Sequence, residues 1–260
     1  MILLKDMTLS KSIIDQIDPF LNQKRIAENT KLSYRYDLLQ FIEIIGERLS
    51  QDKLKLYQMC LASLSLSAKK RKYSTVNQFL FYLYQQKFVP DYYFLDEKIR
   101  LEIDSNSPKS VIKYEAFYKA SAFEQGRLIA LLILEMGLLP NEIARLTVKD
   151  IDLSFEVIRI NQNHRVRVLT IPKHIMHSVK EQLRFEQTFL FEHGGKAFSR
   201  QWYFSQLKGY LESIGYGQLS AQDLRQEFIL NQKEKGKSMM ELSKELGLKS
   251  PITLEKYYKN

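Results

Sequence analysis

The most informative part of this chain lies near its C-terminus: Ala221-Gln222-Asp223-Leu224-Arg225, then Leu246-Gly247-Leu248, then Tyr257. Arg225 lies in a stretch with the composition of a helix, and Tyr257 follows it 32 residues later. Each residue also has an ordinary interpretation. Arg225 fits a surface position on a helix, and Tyr257 is one of 15 Tyr and could be a core aromatic. The rest of the chain decides between these interpretations and a functional one.

The composition is that of a globular protein, with 45% hydrophobic and 27% charged residues among 260. This length suits one large or two small domains. Residues 1–100 carry 16 Lys and Arg against 11 Asp and Glu, and the other 160 carry 23 against 19, so both parts contribute to the net charge of +9. A basic balance in both parts indicates a polyanion such as nucleic acid, although a moderate positive charge also serves solubility.

Two features bear on where the protein works. The sequence contains no run of 18 or more apolar residues and no signal peptide at its N-terminus, so we expect no membrane partner. Cys60 is the single cysteine and cannot form an internal disulfide, which fits a reducing cytoplasm. We interpret Cys60 as a small core residue and not as a reactive thiol.

Residues 10–92 are predicted to form a helical domain. One helix is expected to have its cap at Thr30 and its end at Gly46, and a short one follows from about Asp52 to Leu61. A third helix is expected after a cap at Ser67. The first and third share the i, i+3, i+4, i+7 spacing of a buried face, through Leu38, Phe41, Ile42 and Ile45 and through Val76, Phe79, Leu80 and Leu83.

The run Lys69-Lys70-Arg71-Lys72 falls in the expected first turn of the third helix. Four cations at a helix N-terminus oppose the helix dipole, so the sequence accepts a cost that an anionic partner would offset. Polar side chains that can bond phosphates and base edges follow on the same helix: Tyr73, Ser74, Thr75, Asn77 and Gln78. We therefore predict that the run contacts DNA phosphates. A solvated charged face is the alternative.

The second domain is predicted over residues 111–260, after a linker at 93–110 that contains a polar segment with Pro108. An apolar helix is expected from Arg127 to Met136, ending at Gly137, and Pro140 is expected to open a short helix. Two runs rich in β-branched residues, 155–160 and 165–171, predict an antiparallel hairpin, and the chain after about His174 is predicted to be mainly helical.

These stretches together resemble the Xer branch of the tyrosine recombinase (phage integrase) family, and most closely its XerD-like subgroup. The resemblance runs through residues 13–258 in the order of the family: Thr30–Leu38, Ser67–Leu83, Gly137–Leu146, the hairpin, Phe191–Trp202 and Leu219–Tyr257. Each motif is weak alone, and their colinear order carries the resemblance.

The resemblance implies a mainly α fold. It comprises an N-terminal helical core-binding domain and a C-terminal mixed, mostly helical recombinase domain with a small antiparallel sheet. It also implies double-stranded DNA as the partner, DNA recombination and integration as the process, and no metal or other cofactor. The four His show no spacing typical of metal ligands, which agrees with this expectation.

The resemblance also assigns roles to positions. Arg225 matches the second Arg of the family, which holds the scissile phosphate, and Tyr257 matches the nucleophile. Four positions depart from the pattern, with Leu139 in place of the first Arg, Asn163 in place of the hairpin Lys, Gln222 in place of the first His, and Leu248 in place of the second His or Trp.

Gln222 can still donate a hydrogen bond, whereas Leu248 cannot. Arg165 and Arg167 lie close to the hairpin position and could supply positive charge to DNA, although an Arg is a poor general acid. We therefore expect a XerD-like recombinase family protein that binds duplex DNA and cleaves it weakly or not at all.

Alternatives remain open at this point. The chain could be a non-catalytic DNA-binding or architectural protein that modulates a true recombinase, and another recombinase or DNA-processing protein is then a candidate partner. A protein-interaction module without DNA binding is disfavoured by the basic charge. Xer proteins usually continue past the Tyr with a docking helix, whereas three residues follow Tyr257 here, so we expect a monomer in the absence of DNA.

Overall fold

The computed structural model describes residues 13–46, 49–96, 112–162, 165–184 and 186–259. Contacts divide the chain into two units, Met1–Ser107 and Pro108–Asn260, which are described separately below. Most of the predicted linker falls outside the described residues, so its boundaries stay a prediction. In the described part of the chain, no helix is long and apolar enough to cross a bilayer.

The N-terminal unit contains α1 (Ile17–Asn22), α2 (Glu28–Ile45), α3 (Gln51–Cys60) and α4 (Leu66–Gln85). Helix α2 packs against the other three helices, and the predicted apolar faces of α2 and α4 are confirmed, since all eight residues are buried. The predicted end of α2 at Gly46 is also confirmed. Cys60 is exposed at the end of α3, so its interpretation as a core residue was wrong.

Two predicted helix starts were wrong. Helix α2 begins after Ala27, and Thr30 is its third residue. Helix α4 begins after Ser65, whose hydroxyl accepts a bond from the backbone at the third helical position, so Ser67 lies inside the helix. As a consequence, the run Lys69–Lys72 lies in the second turn of α4 and opposes the helix dipole less than predicted.

The C-terminal unit is built around one buried helix. Its elements are α5 (Glu115–Tyr118), α6 (Glu124–Met136), α7 (Pro140–Ile143), a 3₁₀ turn (Val148–Asp150), β1 (Ile151–Asp152), β2 (Val157–Gln162), β3 (Arg165–Thr170), α8 (Lys173–Gln182), β4 (Glu192–His193), β5 (Lys196–Ala197), α9 (Arg200–Ser213), α10 (Ala221–Glu234), α11 (Met239–Glu245), a second 3₁₀ turn (Pro251–Leu254) and α12 (Glu255–Tyr258). Helix α6 is apolar on nearly every side because α8, α9 and α10 all pack against it.

The predicted turn after α6 is confirmed. Gly137 ends α6 in the left-handed conformation, with φ of 63°, and a Cβ at this position would overlap the ring of Phe228 and the side chain of Leu246. Pro140 then opens α7 as its first residue, where its missing N–H costs nothing. This compact turn fixes the distance between the end of α6 and the start of α7.

The predicted hairpin is confirmed as β2 and β3, which form an antiparallel sheet with β1 in the order β1-β2-β3. The faces of β3 are the reverse of what hydrophobicity suggests. Val166 and Val168 are 63% and 58% exposed, whereas Leu169 is buried and Arg167 is nearly so. Since alternate residues of a strand share a face, the guanidinium of Arg167 lies on the inner face of the sheet.

The C-terminal helices form a small core of their own. Phe228 and Ile229 of α10 pack with Leu242 and Leu246 of the α11 segment and with Leu254, and Leu248, Tyr257 and Tyr258 pack against this cluster. It joins the helix that carries Arg225 to the helix that carries Tyr257.

Candidate active site

Arg225 is held by main-chain carbonyl groups. It lies on α10, which the hydroxyl of Ser220 caps. Its Nη1 donates to the carbonyl oxygen of Gly137 at 2.5 Å, and its Nη2 to that of Leu246 at 3.5 Å. The side chain is 12% exposed. Arg225 therefore ties α10 both to the turn after α6 and to the end of α11.

A buried carboxylate, that of Glu142 on α7, lies beside Arg225. Its Oε2 accepts from the N–H of Leu139 at 2.8 Å, as a Glu at the third position of a helix does in a capping box. The same oxygen lies 2.8 Å from Nη2 of Arg167 and 3.9 Å from Nη1 of Arg225. Glu142 thus bridges two guanidinium groups that come from β3 and α10.

Arg167 is 12% exposed and has donors to spare. Its Nη2 is in ion-pair contact with Glu142 but is not directed for a hydrogen bond, and its Nε and Nη2 have no hydrogen-bond partner within the residues that the structure describes. Gly247, with φ of 66°, lies against this side chain, and a Cβ there would overlap Nη1 of Arg167. The glycine therefore leaves the space that the guanidinium occupies.

The charges in this cluster do not cancel. Two guanidinium groups share one carboxylate, which leaves one positive charge in excess. Burial lowers the pKa of Arg225, the charge of Glu142 opposes this, and Arg167 lowers the pKa of Arg225 further. A buried excess charge is costly unless it is paired. A bound anion would supply the missing partner.

Tyr257 lies on α12, half-buried against the small C-terminal core. Its carbonyl oxygen accepts a bond from Nζ of Lys233 at 2.9 Å, and Nζ of Lys256 lies 4.6 Å from the centre of its ring. Helices α10 and α12 pack together, and both contribute side chains to the small C-terminal core. The structure therefore places the two predicted catalytic residues in one region of the C-terminal unit.

The positions that depart from the family pattern have different surroundings. Gln222 is exposed one turn before Arg225 on α10. Leu139 is half-buried, in extended backbone just before α7. Leu248 packs against the small C-terminal core. Asn163 lies outside the described residues.

A cleft of about 620 Å³ opens between β3 and α11. Arg167 lines it together with Lys244, Gly247, Leu248 and Lys249. Both Lys are exposed. The cleft thus combines two exposed cations with one nearly buried guanidinium, a combination suited to a phosphate group.

The basic run on α4 needs a correction. Lys72 is 6% exposed, and its Nζ lies 2.8 Å from Oδ1 of Asp37 and 2.6 Å from Oε1 of Gln40. Arg71 also pairs with Asp37, at 2.9 Å. Lys72 is therefore a buried ion-pair partner and not an accessible phosphate contact. Within the predicted run, Lys70 is exposed and Lys69 is partly so.

Sequence analysis missed three residues of this site and left one undecided. The sequence could have predicted the backbone contact of Glu142, because an acid three residues after a helix cap is typical of a capping box. Lys244 and Lys249 flank Gly247, but only the packing of α11 on β3 brings them to Arg167. The side chain of Arg165 lies outside what the structure describes, so its predicted DNA contact stays a prediction.

The chain matches the phage integrase family over residues 112–260, which is more than half of its length. The chain belongs to the phage integrase family. The members of this family are tyrosine recombinases, and the predicted mainly α fold with its small antiparallel sheet is confirmed.

Several solved tyrosine recombinases share the fold. The Tn1549 transposon integrase in complex with circular intermediate DNA has a TM-score of 0.74 at 16% identity, over 95% of this chain and 95% of that one. The XerH recombinase bound to its difH substrate before cleavage has a TM-score of 0.66 at 18% identity, over 97% and 92%. A lambda integrase dimer bound to a COC′ core site has a TM-score of 0.67 at 13% identity, over 96% and 95%. Likeness at this level of identity concerns the fold, and Xer proteins are not distinguished from the other two.

Proposed function

We propose that this phage integrase family member is a XerD-like protein that binds double-stranded DNA in the cytoplasm and acts in DNA recombination or integration. The observation that carries the proposal is the bridge of Arg167, Glu142 and Arg225, whose excess positive charge lies beside the cleft and in the region of Tyr257. The net charge of +9 supports a polyanionic partner. The three similar solved structures were each determined with DNA bound.

The proposed chemistry assigns one role to each retained group. The hydroxyl of Tyr257 loses its proton to water and its oxygen attacks the phosphorus. The bond to the 5′ oxygen breaks, that oxygen takes a proton from water, and Tyr257 becomes joined to the 3′ phosphate. The guanidinium of Arg225 stabilises the negative charge that develops on the non-bridging oxygens. The reverse step on a second strand releases Tyr257 and rejoins the DNA.

We further propose that cleavage by this chain alone is slow. Leu139 and Leu248 carry no hydrogen-bond donor in their side chains, and loss of one preorganised donor costs on the order of 3 kcal/mol. Asn163 cannot protonate the leaving 5′ oxygen, and general acid catalysis contributes about 10²–10⁴ in rate. These losses are not additive, but together they remove most of the stabilisation of the transition state for cleavage.

A second function, a non-catalytic DNA-binding protein that modulates another recombinase, is favoured by one observation. Glu142 holds the start of α7 through the main-chain N–H of Leu139, so the local structure does not depend on an Arg at that position. A protein of this kind would keep the fold and bind DNA without cleaving it.

The experiment that separates these functions uses duplexes of randomised sequence. The full chain is first used to select bound duplexes, and the log of the affinity is measured against the log of the salt concentration. The slope is expected to be about −0.9 for each phosphate neutralised. Selected duplexes are then nicked to make suicide substrates, on which a covalent adduct traps any cleavage.

The expected result is duplex binding with a steep salt slope and a trace of covalent adduct. Lys69→Ala with Lys70→Ala should flatten the slope, while Lys55→Ala, an exposed position on α3, serves as the control. Absence of duplex binding at low salt would overturn the proposal. A strong adduct would show that cleavage does not need the missing groups, and no adduct at all would favour the modulator.

A further inference from the structure

We propose that Arg167 of β3 contacts the DNA phosphodiester and supplies the second guanidinium of the site, in place of the Arg that is missing at Leu139. This inference deepens the proposed function, since it concerns the same site. The juxtaposition that carries it is Arg167 on the wall of the cationic cleft with its carboxylate partner, Glu142, shared with Arg225.

The side chain of Arg167 is directed toward the interior and not toward solvent. Arg167 lies on the inner face of β3, opposite Ile160 on β2, while Val166 and Val168 face outward. The exposed Val side chains gain no stabilisation from hydrophobic burial. The enclosed Arg loses its hydration, which is costly unless its charge is paired. The arrangement is stabilised if the enclosed guanidinium has an anion to bind in addition to Glu142.

The guanidinium of Arg167 has donors without acceptors. An Arg offers five N–H groups in a planar fork. Glu142 engages Arg167 at one oxygen, which is also the oxygen that accepts from the backbone of Leu139. Nε and Nη2 of Arg167 are shielded from solvent and find no hydrogen-bond acceptor in the described parts of the chain. Donors buried in this way are costly to leave unpaired, so a further acceptor that the cleft admits would stabilise the guanidinium.

The two guanidinium groups of the site differ in how many of their donors the fold already uses. Arg225 directs Nη1 and Nη2 at the carbonyl oxygens of Gly137 and Leu246, so part of its fork is committed to the fold. Arg167 lines the cleft directly, with Lys244 and Lys249 around the opening. Arg167 is therefore the guanidinium more available to an anion that enters the cleft.

The ligand class follows from the shape and the charge. A cleft of about 620 Å³ that opens between a strand and a helix can admit a chain segment, and cations at its rim and in its wall match repeated negative charges. A phosphodiester backbone has both properties. Free inorganic phosphate shares the chemistry of the group and serves as a probe.

The test uses the full chain with ¹⁵N-labelled arginine. The Nε–Hε signals of Arg167 and Arg225 are assigned from Arg167→Lys and Arg225→Lys, and sodium phosphate is titrated at an ionic strength held constant with chloride. Arg167→Lys keeps the charge and loses the fork. Arg159→Lys is the matched control, because Arg159 is an exposed Arg on the adjoining strand, next to Ile160 and hence on the other face of the sheet.

The expected result is that phosphate shifts the Arg167 signal and that Arg167→Lys weakens binding by about tenfold, the loss of roughly one charged hydrogen bond. Arg159→Lys should leave the affinity unchanged. Glu142→Gln should tighten binding several-fold, since the amide oxygen can still accept from Leu139 while the competing negative charge is gone. Thermal melts show that each variant is folded.

Three outcomes would overturn the inference: a shift at Arg225 without one at Arg167, equal affinities for Arg167→Lys and Arg159→Lys, or no phosphate effect at either guanidinium. Duplex binding is measured on the same samples. If duplexes bind with a steep salt slope while phosphate does not shift the Arg167 signal, the inference fails and the proposed function stands. If Arg167 binds phosphate but no duplex binds, the anion site stands and the proposed function fails.

Discussion

Arg167 and Arg225 approach the same atom, Oε2 of Glu142, at 2.8 and 3.9 Å. One residue reaches it from a strand and the other from a helix, and each brings a full positive charge to a carboxylate that can balance only one of them. This shared oxygen links the stability of the C-terminal unit to the ligand that the site accepts, because the same excess charge that strains the folded protein also attracts an anion.

The contact between Gly247 and Arg167 gives a stability prediction. Gly247→Ala and Gly236→Ala both place a Cβ at positive φ, 66° and 84°, but only the first meets another side chain. We expect Gly236→Ala to cost about 1 kcal/mol of unfolding free energy and Gly247→Ala to cost measurably more in urea denaturation. The difference should shrink when Arg167 is replaced by Ala. Equal losses of unfolding free energy for the two variants, in the wild-type background, would show that the side chain of Arg167 moves aside without cost.

The burial of Lys72 gives a second prediction. Lys72→Met leaves Asp37, which is fully buried, with Arg71 as its remaining cation. Removal of one partner from a buried pair costs on the order of 3 kcal/mol. Lys70→Met, two residues earlier and exposed, should change the unfolding free energy by less than about 0.5 kcal/mol. A comparable loss in the two variants would contradict the role of Lys72 as an ion-pair partner in the core.

The third prediction concerns chemistry. Tyr257→Phe should abolish any covalent adduct on a nicked substrate, because it removes the proposed nucleophile. Restoring donors together, with Leu139→Arg, Asn163→Lys, Gln222→His and Leu248→His, should raise adduct formation by orders of magnitude. Helix α7 should tolerate Arg at position 139, since its cap uses the main chain there. An adduct that survives Tyr257→Phe would refute the nucleophile, and no gain in the restored variant would show that the pocket cannot place the added groups.

The fourth prediction concerns alkaline pH. Burial raises the pKa of Tyr210 to about 12, and its hydroxyl donates to the carbonyl oxygen of Phe117 at 3.0 Å. In the unfolded chain this Tyr ionises near its ordinary pKa of about 10. Between these values the folded state holds a proton that the unfolded state has lost, so the stability present below pH 10 falls as the pH rises through 12.

The matched variant is Tyr210→Phe. It should be less stable at neutral pH, because the carbonyl of Phe117 loses its donor, yet it should lose less stability between pH 10 and 12. Denaturant melts at both ends of this window measure the two effects. Parallel pH curves for the wild type and the variant would contradict the assignment to Tyr210.

The elements that the sequence predicts well are those whose signals agree with one another. The helix that ends at Gly137 combines an apolar run, a glycine able to adopt positive φ and a proline three residues later, and all three point to the same boundary. The caps were harder. Ser65 and Ser67 are the same residue type two positions apart, and only the packing of α4 decides which one lies at the end of the helix.

The candidate site could be predicted only in part. The catalytic roles of Arg225 and Tyr257 come from the resemblance and stay a prediction, whereas the burial of Lys72 was missed although its signal was available. Lys72 lies four residues before Val76, on the core face of α4. The enclosure of Arg167 has no such signal, because alternation alone would put Val166 and Val168 inward. Arg167 instead contacts Glu142 and lies against Gly247, and both residues are distant from it in sequence.

The bond from the main chain of Leu139 to Glu142 has a consequence for which residues position 139 accepts. Because the carboxylate accepts from the backbone N–H, the side chain at residue 139 can change its charge without disturbing the start of α7. Only Pro, which has no N–H, would remove this bond. The turn after α6 therefore keeps its shape independently of the chemistry that residue 139 carries.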